Sequence, residues 1–190
     1  MKRVLYAFVI AVMFCGCLLP AFGASKTEMA RMGTFISNFT EVGMYDIDID
    51  TISMEELAHF GVWHNYINNR KSRVRPCRKK NCPYGDLTID KKYVAESVEK
   101  YFDVELEHTS AEDASYDGKV YHFATADGIP DYADVHEVSR KGNIITMRGE
   151  LYSAGDEERL ASFTATAKPY KFNGQNTWSI LTLKTDWYNN

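Results

Sequence analysis

Four cysteines occur in the chain, and two of them, Cys77 and Cys82, lie far from the N-terminus with four residues between them. In an exported chain, two closely spaced cysteines predict a disulfide, and closing so short a loop contributes about 2 kcal/mol to stability. The alternative is half of a zinc site, completed by His59 and His64. The four-residue spacer fits poorly with the commoner two-residue knuckle, and no second cysteine pair is available. The sequence therefore predicts a disulfide and no metal.

The segment around these cysteines is strongly basic. It holds seven cations and no acid within eleven residues: Arg70, Lys71, Arg73, Arg75, Arg78, Lys79 and Lys80. Such a concentration of charge attracts anions, and the candidate partners are lipid headgroups, envelope polyanions, an acidic protein or nucleic acid. The alternative is a solvated loop that only keeps the protein soluble. We expect binding either through this segment or through a concave pocket that takes a small apolar ligand.

His64 is the residue best suited to general acid–base chemistry, because imidazole titrates near neutral pH. It shares a helical face with Phe60, Trp63 and Ile67, so it points into the fold. The alternative is a hydrogen-bonded core histidine. Asp134 and Glu137 are candidate partner carboxylates, but which face they occupy depends on strand register. His64 is therefore a weak catalytic candidate.

Aromatic residues on the predicted helices and strands are candidates for a ligand pocket that includes His64. They are Trp63, Tyr121, Phe123, Tyr132 and Trp178. The alternative is that these side chains simply fill the core, since aromatic residues on alternating strands commonly do so. The chain has no nucleophile elbow, no phosphate loop and no metalloprotease motif, so we expect neither a catalytic signature nor a cofactor.

Residues 1–24 have the features of an export signal. Lys2 and Arg3 precede an uncharged, mostly apolar stretch that ends in small residues. Cleavage there predicts a periplasmic, extracellular or envelope-tethered protein. The alternative is a lipoprotein leader, because Cys17 follows a small residue and would carry the lipid. Apart from such an anchor, no membrane attachment is expected.

The remaining residues, 25–190, are predicted to form one domain. Without Lys2 and Arg3, the chain holds 20 Lys and Arg against 26 Asp and Glu. Nucleic-acid-binding domains are normally basic overall, so nucleic acid is a disfavoured partner. The excess of acid also makes the basic segment stand out.

The positions of these residues depend on a helical first half and a strand-rich second half. Apolar spacing predicts helices near residues 26–39, 54–68 and 91–102, the second opened by a capping box at Ser53 and Glu56. Alternating residues separated by turn signals then predict five strands, at residues 119–125, 132–140, 143–153, 159–170 and 177–187. This order predicts an α+β fold in which N-terminal helices pack on a curved antiparallel sheet of about five strands.

The segments 35–39, 63–69 and 121–128, together with this element order, resemble exported bacterial proteins of the NTF2-like and cystatin-like superfamilies. The resemblance covers most of the chain and implies a sheet that wraps around helices. Some NTF2-like members are enzymes that use His, Asp and Tyr, and cystatin-like folds can act as inhibitors. We expect a non-catalytic binding domain at the cell envelope. The alternatives are an isomerase or hydratase built around His64, and an inhibitor of an exported hydrolase.

Overall fold

A computed structural model describes residues 24–79, 82–125 and 130–188, which form three helices and two antiparallel sheets. The helices are α1 (Lys26–Thr40), α2 (Met54–Arg73) and α3 (Lys91–Phe102). The predicted α+β class is confirmed. Residues 1–23 of the predicted leader, Cys17 among them, lie outside the described residues, as does Lys80. None of the helices in the described residues is long and apolar enough to cross a membrane.

The helices begin at the polar residues that the sequence indicates. Ser53 and Glu56 form the predicted capping box at the start of α2, and the Asp90 side chain accepts a hydrogen bond from the Lys92 backbone N–H at the start of α3. α2 continues beyond its predicted end at Asn68, as far as Arg73. Its last turn is held by the Arg75 guanidinium, which donates to the carbonyl oxygens of residues 71 and 72.

The larger sheet has the strand order β1-β9-β8-β7-β6. Its strands are β1 (Ile47–Asp48), β6 (Asp131–Lys141), β7 (Ile144–Ser153), β8 (Arg159–Phe172) and β9 (Gln175–Trp187). The last four are the predicted meander. Helix α1 lies close against β6: a Cβ atom at Gly33 would come within 2.7 Å of the Ala133 carbonyl oxygen, and the Ala133 N–H donates to the Ser37 hydroxyl. Only glycine allows this approach of helix and strand.

The smaller sheet was not predicted as a separate unit. It has the order β2-β3-β5-β4, and its strands are β2 (Val74–Pro76), β3 (Leu87–Asp90), β4 (Ala114–Tyr116) and β5 (Val120–Phe123). The strand expected at residues 119–125 is β5, and it joins this sheet instead of the meander. Alternation along a strand shows which side chains share a face, but it does not identify the neighbouring strand. The two-residue strand β1 completes the larger sheet instead.

Candidate functional site

Part of the basic segment, Cys77 and the smaller sheet meet in a single groove of about 650 Å³. We call it the thiol groove. Its lining residues are Arg75, Pro76, Cys77, Arg78, Lys79, Thr88, Asp117, Val120 and His122. The groove therefore combines cations with thiol, imidazole and carboxylate groups. Of these residues, only the cations and the cysteine were predicted from the sequence.

Strand register explains how distant residues reach the thiol groove. Arg75 lies opposite Thr88 in the pairing of β2 with β3, and Thr88 lies opposite His122 in the pairing of β3 with β5. Directly opposed residues share one face of a sheet. Tyr121 and Phe123, the neighbours of His122, are fully buried on the other face. His122 thus lies on the face of the sheet that Cys77 and Cys82 contact.

His122 is 2 % exposed, and both of its ring nitrogens have partners. Its Nδ1 atom lies 3.5 Å from the Sγ atom of Cys77 and 3.5 Å from the Sγ atom of Cys82. Its Nε2 atom lies 2.9 Å from an Asp117 carboxylate oxygen. Because a carboxylate only accepts, Nε2 carries a proton and donates it to Asp117, and Nδ1 is the ring nitrogen that faces the two sulfur atoms.

Asp117 is fixed in place by a tight turn. One of its carboxylate oxygens accepts hydrogen bonds from the backbone N–H groups of Lys119 and Val120, and the other pairs with His122 and with the Lys79 ammonium at 3.0 Å. The hydrogen bond from His122, those from the backbone and that from Lys79 hold the pKa of Asp117 well below its ordinary value. Asp117 is therefore an ionised acceptor that orients the His122 ring.

The chain returns from Cys82 to β3 through a close contact with β5. Gly85 has φ +127°, and a Cβ atom there would lie 2.2 Å from the carbonyl carbon and oxygen of Phe123. Glycine alone permits both this backbone conformation and this approach. The Cys77 N–H donates to the Asp86 carbonyl oxygen at 2.7 Å. These two contacts hold Cys77 and the chain that follows Cys82 against the smaller sheet.

Both cysteines are free thiols in the structure. A disulfide needs a sulfur–sulfur distance of about 2.05 Å, and the sulfur atoms of Cys77 and Cys82 are not at bonding distance. The predicted Cys77–Cys82 disulfide therefore stays a prediction. The two histidines that were considered as zinc partners, His59 and His64, do not contact these sulfur atoms. The histidine that does contact them is His122, 40 residues beyond Cys82 in the chain.

The cations of the basic segment divide into paired and unpaired groups. Arg73 pairs with Glu96 at 3.1 Å, and Lys79 pairs with Asp117. Within the described residues, no carboxylate lies at ion-pair distance from the remaining four: Arg70, Lys71, Arg75 and Arg78. Arg70 packs over the Tyr66 ring, 4.6 Å from its centroid. Arg75 and Arg78 are the unpaired cations that line the thiol groove.

His64 lies in a cluster that we call the aromatic centre, formed by Phe35, Phe39, Phe60, His64, Tyr101 and Phe102. The imidazole is 4 % exposed and stacks on Phe60 at 5.3 Å between ring centroids. Its Nδ1 atom accepts a hydrogen bond from the Asn68 amide at 3.2 Å. Burial, together with the charges of Lys100 and Arg73, lowers the pKa of His64 to about 3. The side chain is neutral at physiological pH.

The carboxylates considered as partners of His64 lie elsewhere. Glu137 is exposed and pairs with Arg148, and Asp134 is exposed and lies 3.8 Å from His136. The hydrogen-bond partner of His64 is an amide, Asn68, which neither supplies nor removes a proton at neutral pH. These surroundings favour the core interpretation of His64.

The other aromatic residues predicted to line a pocket occupy separate places. Phe123 packs against Trp63, whose indole N–H donates to Asp113. The rest belong to three further contacts: Tyr121 with Tyr116, Tyr132 with Tyr152, and Trp178 with Phe35. Tyr132 and Trp178 border two different surface grooves. The structure therefore does not bring the six side chains together around one cavity.

A second titratable cluster was not predicted. His59 Nδ1 lies 3.1 Å from the Asp113 carboxylate, and His59 Nε2 lies 2.9 Å from the Val42 carbonyl oxygen. Burial alone would lower the pKa of His59, but the hydrogen bonds to these two acceptors outweigh it and raise the pKa. The His59 imidazole thus joins α2 to the ends of two loops beside a cleft of about 420 Å³.

No sequence motif singled out His122 or Asp117. His122 stands 45 residues after Cys77, which is beyond the spacing of a local metal motif. The available signal was a histidine at the outward position of a strand whose neighbours, Tyr121 and Phe123, are apolar.

Neither a protein-family model nor a curated protein nor a solved structure matches the chain. The NTF2-like and cystatin-like resemblance therefore stays a prediction.

Proposed function

We propose that the chain is an exported, non-catalytic binding domain that captures an anionic group of the cell envelope in the thiol groove. The observation that carries this proposal is the placement of Arg75 and Arg78 along the groove with no carboxylate at ion-pair distance in the described part of the chain. Unpaired cations that line a concave surface attract anions, and the low-dielectric walls concentrate their field.

The charge distribution of the whole chain supports the same surface. Outside the leader and the basic segment, the chain has 13 more acidic than basic residues. An anion is therefore repelled by most of the molecule and attracted by one region. Such an asymmetry directs an anionic partner to a single face. The partner class is an acidic envelope polymer or a layer of anionic headgroups.

The test measures binding of the mature protein to two probes at increasing salt concentration. One probe is a sulfated polysaccharide column, and the other is vesicles that contain phosphatidylglycerol. We expect retention on at least one probe that falls as salt rises, because salt screens exposed charges. Retention on the polysaccharide identifies a polymer, and sedimentation with vesicles identifies headgroups. Absence of binding to both probes would contradict the proposal.

Two variants with matched charge changes locate the surface. Combined replacement of Arg75, Arg78, Lys79 and Lys80 by Gln should weaken binding by at least about tenfold. The control replaces four exposed lysines outside the groove by Gln: Lys26, Lys141, Lys171 and Lys184. It should keep most of the binding. Equal losses in the two variants would mean a general charge effect and would contradict a specific groove.

Arg75 also holds the end of α2, so its replacement can disturb the fold. A third variant therefore keeps Arg75 and changes only Arg78, Lys79 and Lys80. It should reproduce most of the loss of binding while its urea unfolding midpoint stays close to that of the parent. Binding that persists in this variant would also contradict the proposal.

The enzyme alternative lacks comparable support. A general acid or base works best when its pKa lies near the working pH, and the surroundings of His64 hold its pKa near 3. No structural feature of the described residues favours the inhibitor alternative over simple binding.

A further inference from the structure

We propose that Cys77, Cys82 and His122 form a zinc-binding site, with Asp117 as the hydrogen-bond partner that orients the ligating histidine. This inference goes beyond anion binding and does not depend on it. It also differs from the sequence-based expectation of a disulfide and no metal. The three donor atoms, two sulfurs and one ring nitrogen, all lie within 4.8 Å of one another.

The distances between the donor atoms fit a tetrahedral zinc ion. Zinc binds thiolate sulfur at about 2.3 Å and imidazole nitrogen at about 2.0 Å, so tetrahedral ligands of these two kinds lie about 3.6 Å apart. Both observed distances between sulfur and Nδ1 are 3.5 Å. A single nitrogen held equally close to two sulfur atoms is compatible with one ion shared by the three donors.

The surroundings of His122 supply the outer hydrogen bond that metal-binding histidines use. Nε2 donates to Asp117, so the lone pair of Nδ1 points toward the sulfur atoms. A carboxylate behind a ligating histidine fixes the ring orientation and makes the ring a stronger ligand. Asp117 is itself held by two backbone N–H groups and by Lys79. The ring is therefore oriented before the metal binds.

The donor set selects the metal class. Two thiolates and one imidazole favour a soft or borderline cation, whereas calcium and magnesium need oxygen ligands. Zinc is the redox-inert member of this class. Binding removes one proton from each thiol and brings in two positive charges, so the net charge of the groove does not change. With three protein ligands, the fourth position is left to water or a small ligand from the thiol groove.

A disulfide and a metal compete for the same two sulfur atoms, so the experiment measures both in one sample. Protein is purified from its own compartment without a reductant or a chelator. We expect one zinc per chain by elemental analysis and two free thiols after denaturation. A denatured mass that is two hydrogens lighter, with no thiol reactivity, would show a disulfide and would overturn the proposal.

The second measurement identifies the ligands. Cobalt replaces zinc in the purified chain, and thiolate-to-cobalt absorption in the near ultraviolet reports sulfur ligation. Separate Cys82→Ser and His122→Asn variants should lose at least about 100-fold in zinc affinity, while Asp117→Asn should lose about 10- to 100-fold. Zinc affinity that is unchanged in Cys82→Ser and His122→Asn would overturn the proposal.

His136→Asn is the matched control, because His136 is half exposed, pairs with Glu150 and lies on the larger sheet. Its zinc affinity should equal that of the parent. If His122→Asn fails to fold, the outcome still rests on two other positions. Cys82 is only partly buried, and Asp117→Asn keeps the size of the side chain. In the Cys82→Ser and Asp117→Asn variants, cobalt absorption of the folded protein measures whether the site still binds metal.

The two proposals fail separately. Cys82→Ser should keep its salt-dependent binding to the anionic probes, because the charge of the groove is the same with and without zinc. The charge variant for this comparison changes only Arg78 and Lys80 to Gln and so keeps the contact between Lys79 and Asp117. It should keep its zinc, since neither residue is a ligand. Loss of zinc in the charge variant together with loss of anion binding in Cys82→Ser would contradict this independence.

Discussion

Two histidines, His64 in the aromatic centre and His122 in the thiol groove, are almost equally buried, at 4 % and 2 % exposure. Their surroundings differ completely. His64 lies among Phe60 and Tyr101 and receives one hydrogen bond from an amide, whereas His122 contacts a carboxylate through one nitrogen and two thiols through the other. Burial alone therefore does not identify a functional histidine. The chemistry of its partners does.

The same contrast applies to the two regions as a whole. The side chains of the aromatic centre stabilise the fold through their buried apolar area and their ring contacts. The thiol groove is lined by polar donors and acceptors, and their contribution is to ligand binding. Changes in the aromatic centre should therefore affect stability, and changes in the groove should affect ligands.

The largest expected effect is the replacement of Phe60 by Ala. Phe60 is fully buried and contacts four other aromatic rings, so we expect a loss of about 3–5 kcal/mol in the free energy of unfolding. The matched change near the groove is Tyr84→Ala. Tyr84 is 56 % exposed, and its loss should cost less than about 0.5 kcal/mol. Urea unfolding measures both.

Similar losses in these two variants would contradict the contrast between the regions. A small effect of Phe60→Ala would mean that the aromatic centre does not dominate stability. A large effect of Tyr84→Ala would give the groove a structural role.

An intermediate effect is expected from the acid sensitivity of His64. Its pKa is lowered to about 3 in the folded chain and is 6.5 when the burial is lost, so the unfolded chain takes up a proton that the native state excludes. Stability should fall as the pH drops below 6.5. Between pH 7 and pH 5, protonation of His64 in the unfolded chain should lower the free energy of unfolding by about 2 kcal/mol.

The His64→Phe variant isolates the contribution of His64 to the pH dependence of stability. It keeps an aromatic ring beside Phe60 and removes the titration, so the difference in unfolding free energy between pH 7 and pH 5 should shrink by about 2 kcal/mol. Because each variant is compared with itself at two pH values, a uniform loss of packing cancels. An unchanged difference would mean that His64 is protonated in the native state, which would restore it as an acid–base candidate.

The smallest effect is expected from His59, and it has the opposite sign. The pKa of His59 is raised in the folded chain, so its contribution is complete below the ordinary value of 6.5 and is lost as the pH rises through the raised value. The partner Asp113 is 38 % exposed, so the contribution should be under about 1 kcal/mol. His59→Gln should reduce the stability difference between pH 6 and pH 9.

Asp113→Asn is the companion variant for this prediction. It removes the charge that favours the protonated imidazole, so it should flatten the same part of the pH profile. A pH 6 to pH 9 difference that both variants leave unchanged would show that the His59–Asp113 pair does not stabilise the charged ring.

The local elements of the fold were predictable because their signals act between near neighbours. The start of α2 follows from Ser53 and Glu56, and the predicted and observed bounds of α3 agree. The turn between β8 and β9 lies at Asn173 and Gly174, both with positive φ, as the residue pair indicates. Capping and turn formation involve residues within a few positions of one another, so a single sequence contains the necessary information.

The thiol groove was predictable only in part. The density of cations and the pair of cysteines were visible in the sequence, and they point to the correct segment of the chain. The division of the strands into two sheets was not visible, because alternation does not identify a strand's neighbour. Without that division, His122 was one more residue of a meander, and Asp117 was a turn residue.

The sequence by itself determined the three helices, the antiparallel hairpins, the α+β class and the position of the basic segment. Only the tertiary structure decided that β2, β3 and β5 pair in a register that aligns Arg75, Thr88 and His122. The physical reason is the range of the interactions. Caps, turns and alternating faces arise between neighbours in the chain, whereas a cluster of two sulfur atoms and one imidazole requires segments 40 residues apart to fold together.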